Sequence, residues 1–234
     1  MGEIRIVPVR ALDLRLELRD WAWAETNRTM TDMHFEKQRE RWPGIWNGRV
    51  LLLHRFAIEQ EIFRGVYLET DFASFLHWRD ADFPDASVFN CFAMAALRAA
   101  DGAFLLGRMA KHTANAGKVY FPSGTPDPHD VRDDGIVDLE GSVRRELLEE
   151  TGLISTDAKP GGWHAMLAGA RIALMHALEA PEDAETLAAR VRVHLATTPR
   201  PELADVVIVR SCEDLTPAMP DFVRAYLEAV FAQR

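Results

Sequence analysis

The chain has 234 residues, 48% of them hydrophobic and 27% charged, the mix of an ordinary globular protein able to bury a core. A formal net charge of -9 gives no global field attractive to polyanions, which argues against DNA or RNA as partners but leaves room for a small nucleotide at a local site. Two cysteines, Cys91 and Cys212, have neither a disulfide-framework nor a zinc-ligand spacing and read as reduced, buried thiols.

The N-terminus, MGEIRIVPVRALDLRLELRD, lacks the apolar run and cleavage site of a signal peptide. Position 6 is Ile, which does not suit myristoylation at Gly2, and no apolar stretch approaches the ~20 residues of a membrane span. A soluble, cytoplasmic protein with no membrane partner is expected.

In chain order, residues 4–17 alternate apolar and charged and suit a strand. Residues 20–41 read as helix. RWPGIWNGR (41–49) is a turn region, with Asn47-Gly48 a hairpin-type signal. Residues 49–70 read as two strands and 71–80 as a short helix, with FPDAS (83–87) a boundary. Beyond it come a buried strand (88–99), a turn at Asp101-Gly102 and a returning strand (103–109). A short strand (118–122) leads into the loop SGTPDPHDVRDDG (123–135). A helix follows from about Asp138 to Thr151, then strand material (163–180), a helix (183–196), a strand (206–210) and a closing amphipathic helix (217–231). The class is α/β or α+β with a mixed sheet. Residues 1–87 form an N-terminal extension or subdomain, and 88–234 the main domain.

The helix ending RELLEETGL (145–153) poses a physical problem. Gly152 sits where a left-handed C-cap is expected, so Glu146, Glu149 and Glu150 occupy the last two turns, at the negative pole of the helix dipole. Acids there are disfavoured by about 0.3–1 kcal/mol each. At ~100° per residue, Leu139, Val143 and Leu147 make the buried stripe. Glu150 falls inside that stripe, and Glu146 and Glu149 flank it. Three adjacent carboxylates repel, and a buried one is costly. A hard divalent cation would relieve both penalties. The competing reading is an acidic surface patch neutralised by Arg144, Arg145 and water.

RELLEETGL resembles the second half of the Nudix box, G-x5-E-x7-R-E-U-x-E-E-x-G-U with U aliphatic, and agrees with every specified position from Arg145 to Leu153. FPSG (121–124) is similar to the family's usual strand end before the box, and the element order over 88–151 fits its α/β/α sandwich. The resemblance covers roughly 88–210. It implies hydrolysis of a diphosphate linking a nucleoside to another moiety, dependent on Mg²⁺ or Mn²⁺. Glu146, Glu149 and Glu150 match the metal-binding positions, and Arg145 the box arginine. The first half departs: counting back from Arg145, Val131 and Val137 stand where Gly and Glu belong. If Gly124 is the start, seven residues are inserted before Arg145, and Asp138 or Glu140 is expected to take over the missing Glu's pairing with Arg145.

The general base is Glu146 or comes from a later loop, where Glu202 is a candidate beside its plainer reading as an exposed loop acid. Arg108 and Lys118 are candidate phosphate clamps, their alternative being solvent-facing strand ends. Trp42 and Trp46 are read chiefly as core anchors. The extension is expected to shape substrate access or a homodimer contact. A catalytically weak nucleotide-metabolite sensor and an interaction protein with a solvated acidic helix remain the other classes. The acids should converge on one cleft with the 123–137 loop along its rim.

Overall fold

The computed structural model describes residues 4–233. The alternating N-terminal stretch forms two strands, β1 (Arg5–Val9) and β2 (Ala11–Leu16), which enter different sheets. After them come α1 (Ala22–Thr26), α2 (Arg28–Arg41), β3 (Arg49–Glu59), β4 (Ile62–Asp71) and α3 (Phe72–Asp80). The main domain adds β5 (Asn90–Arg98), β6 (Phe104–Met109), β7 (Val119–Tyr120), α4 (Leu139–Thr151), β8 (Lys159–Ala168) and β9 (Arg171–Glu179). It closes with α5 (Ala184–Thr197), β10 (Leu203–Val209) and α6 (Asp221–Phe231).

The larger sheet is mixed, in the order β1-β8-β9-β5-β6-β10 with β7 on β6. Only β5 and β9 pair in parallel, Asn90 opposite Arg171 through Arg98 opposite Glu179; the other pairs are antiparallel. Strand β5 is buried on both faces, as its nearly continuous apolar run requires. Cys91, Ala93, Ala95 and Leu97 pack in one cluster with Val143 and Leu147 of α4 and Leu187 and Val191 of α5. Met94 and Ala96 pack on the opposite face with Val223, Tyr226 and Leu227 of α6. The alanines let both helical layers approach closely, giving the expected α/β/α arrangement. Each fully buried Leu or Val contributes about 1.5–3 kcal/mol relative to exposure.

A smaller sheet, β2-β4-β3, belongs to the N-terminal part. Its helical cover is built around Trp21, Phe75 and Trp78, with the Asp71 carboxylate accepting from Ser74 N–H to cap α3. Two observations tie the N-terminal part to the main domain. Strand β1 pairs with β8 in the larger sheet, and β2 reaches the loop before α4: Leu16 N–H donates to the Gly135 carbonyl and Val137 N–H to the Leu14 carbonyl.

Some expectations change. The hairpin turn of the N-terminal part lies at Gln60-Glu61, both in left-handed backbone, rather than at Asn47-Gly48. Asn47 instead accepts a hydrogen bond from Ala73 N–H at the start of α3. Trp46 is 80% exposed, not a core anchor; its ring lies against Gly48, where any Cβ would collide with it. Cys91 is buried, but Cys212 is exposed because it sits in a surface turn beyond β10. Among the described residues no helix is long and apolar enough to cross a membrane.

Candidate active site

Helix α4 starts and stops where the sequence signals it. The Asp138 carboxylate accepts from Gly141 N–H at 2.9 Å, satisfying one of the unpaired amides of the first turn. Gly152 takes the left-handed cap at φ 70°. Leu139, Val143, Leu147 and Glu150 are all buried, the stripe anticipated from periodicity. His194 of α5 places Nε2 3.1 Å from the Glu149 carbonyl, where an Nε2–H tautomer donates to an otherwise unpaired carbonyl at the negative helix pole.

Two of the three acids turn toward the loop entering from β7. Glu150 is 6% exposed; one carboxylate oxygen accepts from Ser123 N–H at 3.3 Å, while Oε2 is buried with no hydrogen-bond partner among the described residues. Glu146 lies over Gly124, where any Cβ would collide with its carboxylate. That close approach is the reason for glycine at the loop corner. Glu149 differs, with its side chain 61% exposed and 3.6 Å from Arg145. Among the described residues no group of three or more His, Cys, Asp or Glu side chains is placed to hold a metal ion.

The electrostatics follow from this placement. Burial pushes the Glu150 carboxyl up to about 9, with the charges of Glu146 and Glu202 adding to the shift. Burial likewise raises Glu146 to about 7, although Arg145 at 2.6 Å works in the other direction. An ion pair that short would ordinarily pull a carboxyl down; here desolvation and the neighbouring Glu149 charge outweigh it. Glu202, exposed at the start of the β10 segment, adds to the charge felt by both acids. The Glu202 side chain makes no hydrogen bond or ion pair with either acid among the described residues, so its charge reaches them through space.

Arg145 corrects a prediction. It pairs with neither Asp138 nor Glu140: Asp138 caps α4 and holds Arg132 at 2.7 Å, and Glu140 pairs with Arg144 one turn along. Arg145 Nη2 instead meets Asp130 at 3.0 Å, an acid whose side chain is 3% exposed. Burial works against the arginine's charge, but the Asp130 bond and the surrounding carboxylates hold its pKa above the ordinary value. The Asp130 backbone is fixed too, its carbonyl accepting from Asp138 N–H at 2.7 Å. Counting forward from Gly124, Asp130 falls six residues on, the position of the box's first acid. The extra seven residues, 131–137, lie behind it and close on themselves, Val131 bridging Val137.

Arg108 and Lys118 are both exposed, on β6 and just before β7; neither makes a contact with the acids among the described residues. His129 is exposed and bonded to Asp127. Tyr120 was not anticipated. Burial raises its hydroxyl to about 12, with the charges of Glu150 and Glu202 contributing, and the hydroxyl accepts from the Asn115 side-chain amide at 3.0 Å.

No protein-family model matches the chain, and no curated protein does. Among solved structures, the chain is similar to Nudix hydrolases and MutT proteins. A MutT protein from Methanosarcina mazei Go1 is 21% identical with a TM-score of 0.41, over 62% of this chain and 94% of that one. The M. smegmatis Nudix hydrolase RenU is 19% identical, TM-score 0.39, over 61% and 84%. The E. coli ORF135 protein is 22% identical, TM-score 0.40, over 62% and 92%.

Proposed function

We propose that the protein is a metal-dependent Nudix-type pyrophosphohydrolase that cleaves the diphosphate linkage of a nucleoside diphosphate joined to a second moiety. One observation carries this reading: Glu150 buries a carboxylate whose Oε2 has no hydrogen-bond partner among the described residues, under the charges of Glu146 and Glu202. An ionised carboxylate so placed is strongly disfavoured without a cation. The donor set is all oxygen, which fits Mg²⁺ or Mn²⁺. Glu146 and Glu150 would hold the ion, with Glu149 completing the set. Bound there, it would neutralise the diphosphate and polarise the attacked phosphorus.

The remaining groups act through position. Asp130 fixes Arg145, and Arg145 holds Glu146 against Gly124. Glu202 is the candidate to accept a proton from the attacking water, since it is exposed and its charge is felt by both acids. Arg108 and Lys118 are retained as phosphate clamps. The alternative, a nucleotide-metabolite sensor, was motivated by the missing box acid; the Asp130–Arg145 pair supplies an acid at the corresponding count and supports turnover instead.

The test is a screen of nucleoside diphosphate sugars, dinucleoside polyphosphates, coenzyme A and ADP-ribose with Mg²⁺ and Mn²⁺, detecting phosphate-containing products. Metal-dependent release from any of them is expected. Metal binding without turnover would favour the sensor, and neither binding nor turnover would leave a merely solvated acidic helix.

A further inference from the structure

Flanking Glu202 lies an open depression of about 500 Å³ between the end of α5 and the β6–β10 edge, a volume in the range of small-molecule sites. Its lining residues include chain neighbours of two residues tied to the candidate active site. His194, bonded to the Glu149 carbonyl, immediately precedes Leu195, which lines the depression. Glu202 stands between Pro201 and Leu203, which also line it, and its carbonyl accepts from Ala110 N–H at 2.8 Å on the far wall.

The chemistry of the depression is opposite to that of the acids. Leu195 and Leu203 give an apolar floor, and Arg192, Arg200 and His112 stand around it. Arg192 is engaged by Asp205 at 3.1 Å, whereas Arg200 and His112 have no side-chain partner among the described residues. Arg200 is also strained: it takes φ 53°, a conformation uncommon outside glycine, directly before Pro201, where extended backbone is favoured. Such outliers persist where surrounding structure holds them, and they gather at ligand clamps. In a chain of net charge -9, two uncommitted donor side chains at one pocket mark a local anion site.

We infer that this depression is the subsite for the second moiety of the substrate, and that this moiety carries its own anionic group, a phosphate monoester or a carboxylate. The inference rests on the hydrolase reading of the α4 acids. An extra anion brought toward a carboxylate cluster is repelled, so its acceptance requires compensating donors; Arg200 and His112 supply them at the depression.

Matched substrate pairs that differ only by an anion on the second moiety test this: UDP-glucose with UDP-glucuronate, UDP-N-acetylglucosamine with UDP-N-acetylmuramate, and ADP-ribose with ADP-ribose 1″-phosphate, each with Mg²⁺. In at least one pair the parent should show a kcat/KM tenfold or more higher for the member with the extra anion. In the double variant Arg200→Gln/His112→Gln that preference should shrink at least fivefold, mainly through KM; both side chains are exposed, so the fold should be retained. Equal use of both members in every cleaved pair, or a preference untouched by the variant, overturns the subsite. If no pair is cleaved, calorimetric titration with ribose 5-phosphate decides the subsite alone, while the wider diphosphate screen decides the hydrolase reading. Binding by the parent that weakens at least fivefold in the variant supports it, and absent or equal binding overturns it.

Discussion

Along α4 the acids take their directions from helical periodicity, while Asp130 takes its position from a loop anchored to a different part of the molecule. Glu150 is buried because it falls on the stripe of Leu139, Val143 and Leu147. Asp130 is buried because the loop is tied down on both sides of it: Pro126 to Leu51 before it, and Gly135 to Leu16 and Val137 to Leu14 after it. The helix carries its chemistry locally, and the loop borrows its rigidity from the small N-terminal sheet. The extension thus has a physical role in supporting the acidic segment, whatever else it contributes.

Four substitutions probe that contrast, beginning with the largest expected effect. Glu150→Gln keeps the shape and removes the buried carboxylate, so activity on the best substrate of the screen should fall well over tenfold, since even losses outside the metal's own ligands cost ~10–100-fold. Steady-state rates at saturating Mg²⁺ check this. Asp130→Asn leaves Arg145 without its buried partner and should lower kcat about 10–100-fold, with a stability loss of about 1–3 kcal/mol for the unpaired group. Asp130→Glu should recover part of the rate if charge is what matters. An Asp130→Asn enzyme with unaltered rate would mean the loop half is only scaffolding.

Gly124→Ala should push Glu146 from its place over the loop corner. A several-fold to tenfold rate loss with little change in urea midpoint is expected; a normal rate would show that Glu146 need not sit there. The smallest effect belongs to the helix start. Asp138→Ala removes the cap and its hold on Arg132, costing about 0.5–2 kcal/mol by denaturant titration while kcat changes less than in the Asp130 variant.

The helix half of this site was legible because helical phase converts residue spacing into direction, and Gly152 marks the end. The loop half was not, because insertions defeat counting from one side only. Counting back from Arg145 reached Val137 and pointed to Asp138 and Glu140. Counting forward from Gly124 would have reached Asp130, and the DPHD turn there carried a further signal, Asp127 and Asp130 capping reciprocally. The elements of the main domain were recovered nearly in place. The split of residues 4–17 between two sheets was hidden, since alternation reports a strand and not its partner. Exposure of Trp46 and Cys212 was equally hidden, because residue type sets only an average tendency to bury.

The central claim is that Glu150, with Glu146, holds a divalent cation. Thermal melts of the parent and Glu150→Gln, each in EDTA and in Mg²⁺, test it most directly, because a ligand stabilises the state that binds it. In EDTA at neutral pH the variant should match the parent or exceed it, since burial raises the Glu150 carboxyl to about 9 and glutamine carries no cost of taking up a proton on folding. In Mg²⁺ the parent should rise in Tm and the variant should rise less. Equal Mg²⁺ shifts in the two proteins would contradict the account.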